Sequence, residues 1–340
     1  MPVPPYPASA SARDRFVESL RPPRRVTRDP WQHQGVTVEE ERQADGTVHP
    51  VATVFITGRE CPWRCAMCDL WQYTTQADTP AGAVPAQIRA ARETLSRTHA
   101  PDPPSCFKLY NASSFFDPRA VPIDDYPEIA RALSGATRVV VESHPALVGH
   151  GLDALVDAFL DSAETAVVCP PHLEIAMGLE TVHPEALERL NKRITAESFA
   201  RASTTILDRG ADLRAFLLVA PPFIQPAAQD EWLRRSVAFA ADCGAAAVSL
   251  IASRGGNGTM EALADEGSFH PPTLADVERS LSTALTVVAG GRTRVFADLW
   301  NLESVAACSR CRQARLARLH AINLTQQSLP AVLCDACHGS

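Results

Sequence analysis

Cys61-Pro-Trp-Arg-Cys-Ala-Met-Cys-Asp69 follows, three residues on, the apolar stretch Val51-Ala-Thr-Val-Phe-Ile-Thr57. The stretch predicts a β-strand, which puts a C-x3-C-x2-C loop at a strand's C-terminal end. Three thiolates on one short loop can hold three irons of a 4Fe–4S cluster and leave the fourth iron open. An open iron invites a chelating ligand with a free amino and carboxylate group. A zinc loop or chance clustering is the alternative, but three cysteines leave zinc a ligand short, and zinc loops pair cysteines with a distant second pair.

Outward from that strand the chain alternates between apolar runs and helical patterns. Strands are predicted at 51–57, 107–111, 138–143, 173–178, 213–220 and 246–251, with a seventh at 293–297. Helices are predicted at 83–98, 125–134, 151–161, 184–209 (broken near Thr195), 229–243 and 273–289. Leu152, Leu155, Val156, Phe159 and Leu160 fall at i, i+3, i+4, i+7 and i+8, an apolar stripe that must face a sheet. Leu233, Val237 and Ala240 repeat the stripe, and Gly244 is placed to end that helix. Apolar strands without clean alternation suit a parallel sheet covered by helices. The fold class expected is α/β, a partial, six-stranded (β/α)6 relative of the TIM barrel. Catalytic groups in such barrels come from strand C-terminal ends, where the cysteine loop lies. Before the barrel, residues 1–30 are rich in proline and arginine and predict a flexible or extended lead-in. Residues 31–50 form a short polar, hairpin-like segment with Asp45-Gly46 as its turn. The expected division is 1–30 lead-in, 31–298 barrel and 299–340 cysteine-rich tail.

Of 340 residues, 46% are hydrophobic and 21% charged, ordinary for a chain that buries a sizeable core. The net charge of −7 gives no global pull toward nucleic acid or an anionic membrane. Its distribution is uneven. Arg13, Arg15, Arg21, Arg24, Arg25 and Arg28 crowd the beginning, and Arg310, Arg312, Arg315 and Arg318 follow one another with no acid between them. Either run could touch phosphates or be a solvated surface. No apolar run approaches the ~20 residues of a membrane helix. With no N-terminal apolar core before a cleavage site, a disulfide framework is not expected, and a reducing, cytoplasmic compartment is.

Seven of ten cysteines fall in two groups; Cys106, Cys169 and Cys243 stand alone and suit small buried positions. The second group, Cys308-x2-Cys311 and Cys334-x2-Cys337, is a four-thiolate set close to zinc-ribbon spacing. Structural zinc is the first reading, an auxiliary iron–sulfur cluster the second and a redox pair the third. The basic residues between the knuckles, with His320, could make this tail a nucleic-acid contact.

The remaining strand ends carry polar motifs. After the second core strand comes Tyr110-Asn-Ala-Ser-Ser-Phe-Phe-Asp117, whose small side chains allow close approach and whose hydroxyls can accept from an ammonium. A plain strand-ending turn would look the same. Glu142-Ser143-His144-Pro145 places a carboxylate where it needs a cationic or hydroxyl partner. Met177-Gly-Leu-Glu-Thr181 is followed by Leu190-Asn-Lys-Arg-Ile-Thr195, in which Lys192 or Arg193 could serve a site or merely end a helix. Ala220-Pro-Pro-Phe223 ends the fifth strand, and Ser253-Arg-Gly-Gly-Asn-Gly-Thr259 follows the sixth. That glycine run lacks the ending of a nucleotide-triphosphate loop. It either lets backbone approach a ligand or turns the chain.

With the cysteine loop, these motifs resemble the radical SAM superfamily, specifically its Elongator-type subgroup, over about residues 50–305. Within it they look most like the radical SAM subunits associated with archaeosine synthase in tRNA modification. The resemblance implies Cys61, Cys65 and Cys68 as ligands of a 4Fe–4S cluster. It implies S-adenosylmethionine (SAM) bound by Asn111, Ala112, Ser113, Ser114, Glu142, Ser143, Gly178, Glu180 and Lys192, with Lys192 on its carboxylate and Arg193 as a spare. Met67 stands where relatives carry an aromatic residue near adenine. The chemistry implied is reductive cleavage of SAM to a 5′-deoxyadenosyl radical that abstracts a substrate hydrogen, the cofactor carrying the hard step. The partners implied are a reducing protein such as a ferredoxin or flavodoxin, and tRNA or a modified base in it. A small metabolite as substrate and a non-catalytic metal-binding module are the alternatives.

Overall fold

The computed structural model describes residues 5–24 and 26–337. A helix, α1 (Ala10–Leu20), precedes a hairpin of β1 (Gly35–Arg42) and β2 (Val48–Phe55). Then come α2 (Ala83–Thr98), β3 (Cys106–Tyr110), α3 (Tyr126–Ala132), β4 (Arg138–Ser143), α4 (His150–Ala166) and β5 (His172–Glu180). The second half runs α5 (Pro184–Arg189), α6 (Ala196–Asp208), β6 (Asp212–Val219), α7 (Gln229–Asp242), β7 (Ala245–Ala252), α8 (Thr259–Asp265), α9 (Leu274–Val287), β8 (Arg294–Ala297) and α10 (Arg312–Thr325). One eight-stranded sheet keeps the strands in chain order; β1 is antiparallel to β2 and every later pairing is parallel. The sheet curls into a half-barrel, so six expected βα units, the expected seventh strand and the hairpin are all present. The hairpin turns at Asp45-Gly46, where Gly46 takes φ +88° and Thr47 N–H donates to Asp45 Oδ1 at 2.9 Å. The break near Thr195 is a helix start: the Thr195 hydroxyl accepts from Ser198 N–H and the Ser198 hydroxyl from Thr195 N–H, a capping box that opens α6.

Alternation along each strand sorts the side chains. Val139 and Val141 of β4, Leu173, Ile175 and Met177 of β5, and Leu213 and Ala215 of β6 join the core beneath the helices. The opposite parity faces the barrel interior, and its lower layer is ionic. Arg138 donates to Glu41 Oε1 at 3.0 Å and pairs with Glu174; Arg214 donates to Glu41 Oε1 at 2.7 Å, to Ser249 Oγ at 3.2 Å, and pairs with Glu174. Lys108 pairs with Glu41 at 2.5 Å. Burial opposes ionisation of both acids, but Arg214, Lys108 and Arg138 hold Glu41 well below the carboxylate range, and Arg214 and Arg138 hold Glu174 at about 2.

One region departs from expectation. Within residues 1–30, expected to be flexible or extended, α1 buries Arg13, Phe16 and Val17 at i, i+3 and i+4. An arginine at the head of that stripe hides its period. Arg13 is satisfied by Glu188, through the main-chain oxygen at 2.7 Å and the carboxylate at 2.6 Å. The tail packs on the barrel: Leu319 and Ile322 of α10 belong to the main core, and α10 packs on both β1 and β8. Among the described residues no helix is long and apolar enough to cross a membrane.

Arg214→Ala leaves two buried carboxylates short of a partner, and breaking a buried pair in this way costs about 3–5 kcal/mol. Chemical denaturation is expected to show a loss of that order; a midpoint near that of the unmodified protein would mean the ionic layer does not hold the barrel.

Candidate active site

The cysteine loop is fixed from three sides at the mouth of the sheet. From the segment after α5, Leu190 C=O accepts from Ala66 N–H at 2.9 Å, and Asn191 Nδ2 donates to Arg64 C=O at 2.8 Å. The same amide donates to Asp14 Oδ1 of α1 at 2.8 Å, and Glu18 of α1 pairs with Arg64 at 2.6 Å. From the glycine-rich loop, Asn257 Nδ2 donates to Ala66 C=O at 2.7 Å and to Cys68 C=O at 3.3 Å, while Arg254 pairs with Asp69 at 3.0 Å. Asp69 is therefore an anchored residue, not a solvated turn. The glycine run has a structural partner: at Gly258, φ +83°, a Cβ would fall on the Leu20 carbonyl oxygen at the end of α1. Close approach there is to the chain's own backbone.

Cys65 is buried and Cys61 and Cys68 partly so. Burial pushes all three thiols up, Cys68 to about 12, and the charge of Cys61 raises both Cys65 and Cys68. The three sulfurs thus feel one another. The four tail cysteines form a tight group: their sulfurs all lie within 4.8 Å of one another, with Cys308–Cys334 at 3.9 Å and Cys311–Cys337 at 3.7 Å.

Around the loop stand the other strand ends. Lys192 pairs with Glu180 directly over Gly178, where a Cβ would fall on both Lys192 Nζ and Glu180 Oε1. Glycine is what makes room for the pair. Burial disfavours the Lys192 charge, but Glu180 and the nearby Cys65 and Cys61 raise its pKa on balance. Glu142 is pushed up to about 7 by burial, against amide hydrogen bonds from Asn111 and Ala112 and the charge of Lys192. Ala112, Glu180 and Ala220, which end or follow β3, β5 and β6, take positive φ of 54°, 66° and 52°. Such strained backbone is costly unless a site uses it.

The serine run divides. Ser114 Oγ accepts from His144 N–H at 3.2 Å and lies 3.3 Å from Ser143 Oγ, so both hydroxyls have partners within the chain. Asn111 is fully buried with neither amide atom bonded, and Ser113 Oγ is likewise without a partner. Ser253 Oγ, at the end of β7, is a further buried orphan that sequence reading did not single out. Buried polar atoms without partners cost stability unless a ligand satisfies them. Orphans on β3 and β7, the Gly178 cradle and the loop thiols fit a polar ligand with amino and carboxylate groups beside an iron–sulfur cluster. His144 was also missed. It accepts from Ala146 N–H at Nδ1, 3.1 Å, donates from Nε2 to Lys192 C=O at 2.8 Å, and stacks on Trp63 of the cysteine loop at 3.5 Å. Burial and Lys192 push it down to about 3, so it is a neutral hinge between three segments.

No protein-family model matches the chain. It is 26% identical over 249 residues to archaeosine synthase subunit beta of Methanosarcina acetivorans, covering 71% of this chain and 68% of that protein. The same-named subunit of Thermococcus kodakarensis matches at 26% over 164 residues, 47% of either chain, so the likeness spans about half of that relative. An uncharacterized protein of Methanocaldococcus jannaschii is 23% identical over 336 residues, 92% of this chain and 87% of that one. Among solved structures, the N-terminally deleted Elp3 of Methanocaldococcus infernus superposes with a TM-score of 0.50 at 15% identity, over 70% of this chain and 59% of that one. The chain thus shares its fold with Elp3 and is similar in sequence to proteins named archaeosine synthase subunit beta. Its half-barrel and its cysteine loop at the strand mouths are where those likenesses lead one to look for the chemistry.

The arginine runs behave differently from a phosphate-binding surface. Arg21 and Arg24 pair with Glu60 at 2.7 and 2.6 Å, Arg315 and Arg318 with Glu278 at 2.6 and 2.9 Å, and Arg312 donates to Val305 C=O at 3.0 Å. Arg25 lies outside the described residues.

The Glu142 carboxyl ionises near 4.5 when unfolded and near 7 when folded. Between those values the unfolded chain releases a proton that the folded one keeps, so stability falls as pH rises through the window. Glu142→Gln removes that loss. The variant's unfolding temperature, relative to the unmodified protein, is expected to gain between about pH 4.5 and 7 and to level off above; a pH-independent difference would contradict the burial of this acid.

Proposed function

We propose that this protein is a radical SAM enzyme, with Cys61, Cys65 and Cys68 as ligands of a 4Fe–4S cluster and SAM in contact with Asn111, Ala112, Ser113, Glu142, Gly178, Glu180 and Lys192. The observation that carries the proposal is three thiols whose charges bear on one another, on a loop at the strand mouths where the buried polar atoms of Asn111, Ser113 and Ser253 lack partners. When bound, the cluster supplies the electron that cleaves SAM to a 5′-deoxyadenosyl radical, which takes a hydrogen atom from the substrate. The chain's own residues bind and orient. Lys192, steered by Glu180, offers its ammonium to the SAM carboxylate; Asn111 and Ser113 supply the donors and acceptors its amino end lacks in a dry site; Ser114 and Ser143 brace β3 against β4. His144 keeps Trp63, and with it the cysteine loop, in register with Lys192. Such fixed geometry is the protein's share of radical chemistry.

The tail is the second metal centre in this reading. A zinc ion with Zn–S bonds of about 2.3 Å spaces tetrahedral sulfurs about 3.8 Å apart, and the tail pairs stand at 3.7 and 3.9 Å. A cubane puts each thiolate on its own iron and spreads its sulfurs wider. Zinc is therefore favoured over an auxiliary cluster, with the barrel at 31–298 and the metal-stapled tail at 299–340.

The substrate proposed is tRNA or a modified nucleobase, on the strength of the two relatives named archaeosine synthase subunit beta, with a ferredoxin or flavodoxin as reductant in the cytoplasm. The second reading, a small metabolite, draws on the internal pairing of the arginine runs, which leaves less basic surface for phosphates.

Anaerobic reconstitution is expected to give four irons and one zinc per chain, with 5′-deoxyadenosine formed on reduction. Cys65→Ala should abolish that product; cleavage by this variant would sink the proposal, and zinc in both cysteine groups would point to a non-catalytic module. Purified protein is expected to shift tRNA in a salt-dependent manner. Absence of a shift at low salt, with SAM cleavage intact, would move the substrate to the small-metabolite reading.

A further inference from the structure

A half-barrel has two edges, here β1 and β8, and an unpaired edge exposes backbone donors and acceptors. On β8 they do not stay unpaired. Arg294 through Ala297 stand in register with Ala247 through Leu250 of β7, and the peptide groups of Val295 and Ala297 are bonded on the side away from β7. There α10 meets them with side chains. Gln326 Oε1 accepts from Val295 N–H at 2.7 Å and Gln326 Nε2 donates to Val295 C=O at 2.8 Å. Asn323 Oδ1 accepts from Ala297 N–H at 2.8 Å and Asn323 Nδ2 donates to Ala297 C=O at 2.8 Å. Two carboxamides three residues apart, one in the last turn of α10 and the other on its C-cap residue, thus imitate the two residues of a missing neighbouring strand. On the other edge, Arg42 at the end of β1 donates to Leu324 C=O of α10 at 3.1 Å, and Arg294 of β8 donates to Arg42 C=O at 2.8 Å. Helix α10 spans the gap that the open sheet leaves.

What holds α10 there is framed by the tail cysteines. Cys308 and Cys311 enter the helix, with Cys311 as its N-cap, and Cys334 and Cys337 return to them after the helix ends. Arg318 donates to Leu329 C=O at 2.7 Å and Pro330 C=O at 2.8 Å, guiding the returning strand of chain. A metal on the four sulfurs closes a loop that contains the whole helix, and loop closure removes freedom that the open chain would regain.

We propose that the tetracysteine site is a metal-dependent latch: zinc bound there locks α10 across the lateral opening of the half-barrel, and its loss frees the β8 edge and the interior behind it. The latch rests on the reading that the tail holds a metal ion and is independent of whether the cysteine loop cleaves SAM.

Hydrogen–deuterium exchange on the full, reconstituted chain tests it. Removing the tail zinc with a chelator is expected to speed exchange at least about 10-fold in peptides covering 294–297, 312–325 and the 35–42 edge, while 138–143 and 172–180 stay protected. Adding zinc back should restore protection. Asn323→Leu with Gln326→Leu cuts the latch at its other end: the β8 amides should exchange faster with one zinc still bound. A tail that binds no zinc sinks both the reading and the latch. Zinc that binds and leaves without changing exchange at β8 overturns the latch alone, as does unchanged β8 protection in the double variant. Neither result bears on 5′-deoxyadenosine formation, which is scored separately.

Discussion

Four charges buried under the strand mouths, Glu41, Glu174, Arg138 and Arg214, set which face of β1, β4, β5 and β6 looks inward. Side chains alternate along a strand, so a one-residue slip would turn Arg138 and Glu174 into the helix-covered core and bring Val139 and Leu173 inside. Neither ion can be stranded in that core without losing far more than a hydrogen bond. The same parity, four residues further along each strand, puts Glu142 on β4 and Gly178 on β5 at the mouth, facing the cysteine loop. The ionic layer and the candidate site are thus the lower and upper rows of one alternation. The ion pairs have no need to be net stabilising to do this, because their high cost when unpaired is what excludes other registers.

Ordering at the mouth follows a second logic. The cysteine loop buries Ala66, with Met67 beside it, in a small apolar cluster with Met260, Leu263 and Phe269, and polar ties to three distant segments add to that hold: α1, the stretch after α5, and the glycine-rich loop. Asn191 and Asn257 each donate to loop carbonyls, and α1 reaches the loop through Asp14 and Glu18. That is the physical role of the arginine- and proline-rich beginning. Arg13, Arg21 and Arg24 meet partners inside the molecule, and the apolar residues Tyr6 and Phe16 pack edge-on at 5.4 Å. Rigid support of this kind leaves the orphan atoms of Asn111, Ser113 and Ser253 fixed in place, where flexible side chains would have found partners among themselves.

Periodicity carried most of the framework in the sequence. The helix at 83–98 and the strand at 138–143 have the same ends in the structure, because Gly82 and the charged residues flanking those runs punctuate them. Thr195 was legible as a break since its capping partner Ser198 is local. What was not legible is non-local or disguised. Arg13 stands in the buried stripe of α1 where an apolar residue would reveal the helix, and its partner Glu188 lies 175 positions away. In α10 the burial of Arg315 gives the same disguise, and Asn323 and Gln326 look like surface amides until β8 is placed beside them. The strand-end motifs named the right neighbourhood for the site, but not the division between Ser113 and Ser114, which depends on Ser143 and His144 arriving from the next strand.

The two substrate readings meet in one geometric requirement. Below the mouth the interior is filled by the ionic layer, and at the level of Val295 and Ala297 the side of the half-barrel is covered by α10. Among the described residues, the strand mouths are therefore the side from which a hydrogen-bearing carbon would approach the cysteine loop. A small molecule can enter whole. A tRNA can present only a protruding group, and displacing a base from its stack has a price of a few kcal/mol that contacts at the rim must supply. Exposed aromatic side chains are available there for that purpose: Trp300, 46% exposed, packs on Phe55 at the end of β2 at 4.7 Å, and Tyr73, 41% exposed, lies beneath the Arg28 guanidinium at 5.3 Å. Stacking on such faces is tolerant of sequence and does not need a strongly basic surface. On the tRNA reading, a chain of net negative charge with Arg21, Arg24, Arg315 and Arg318 engaged internally would hold a nucleobase by its ring and not by its phosphate.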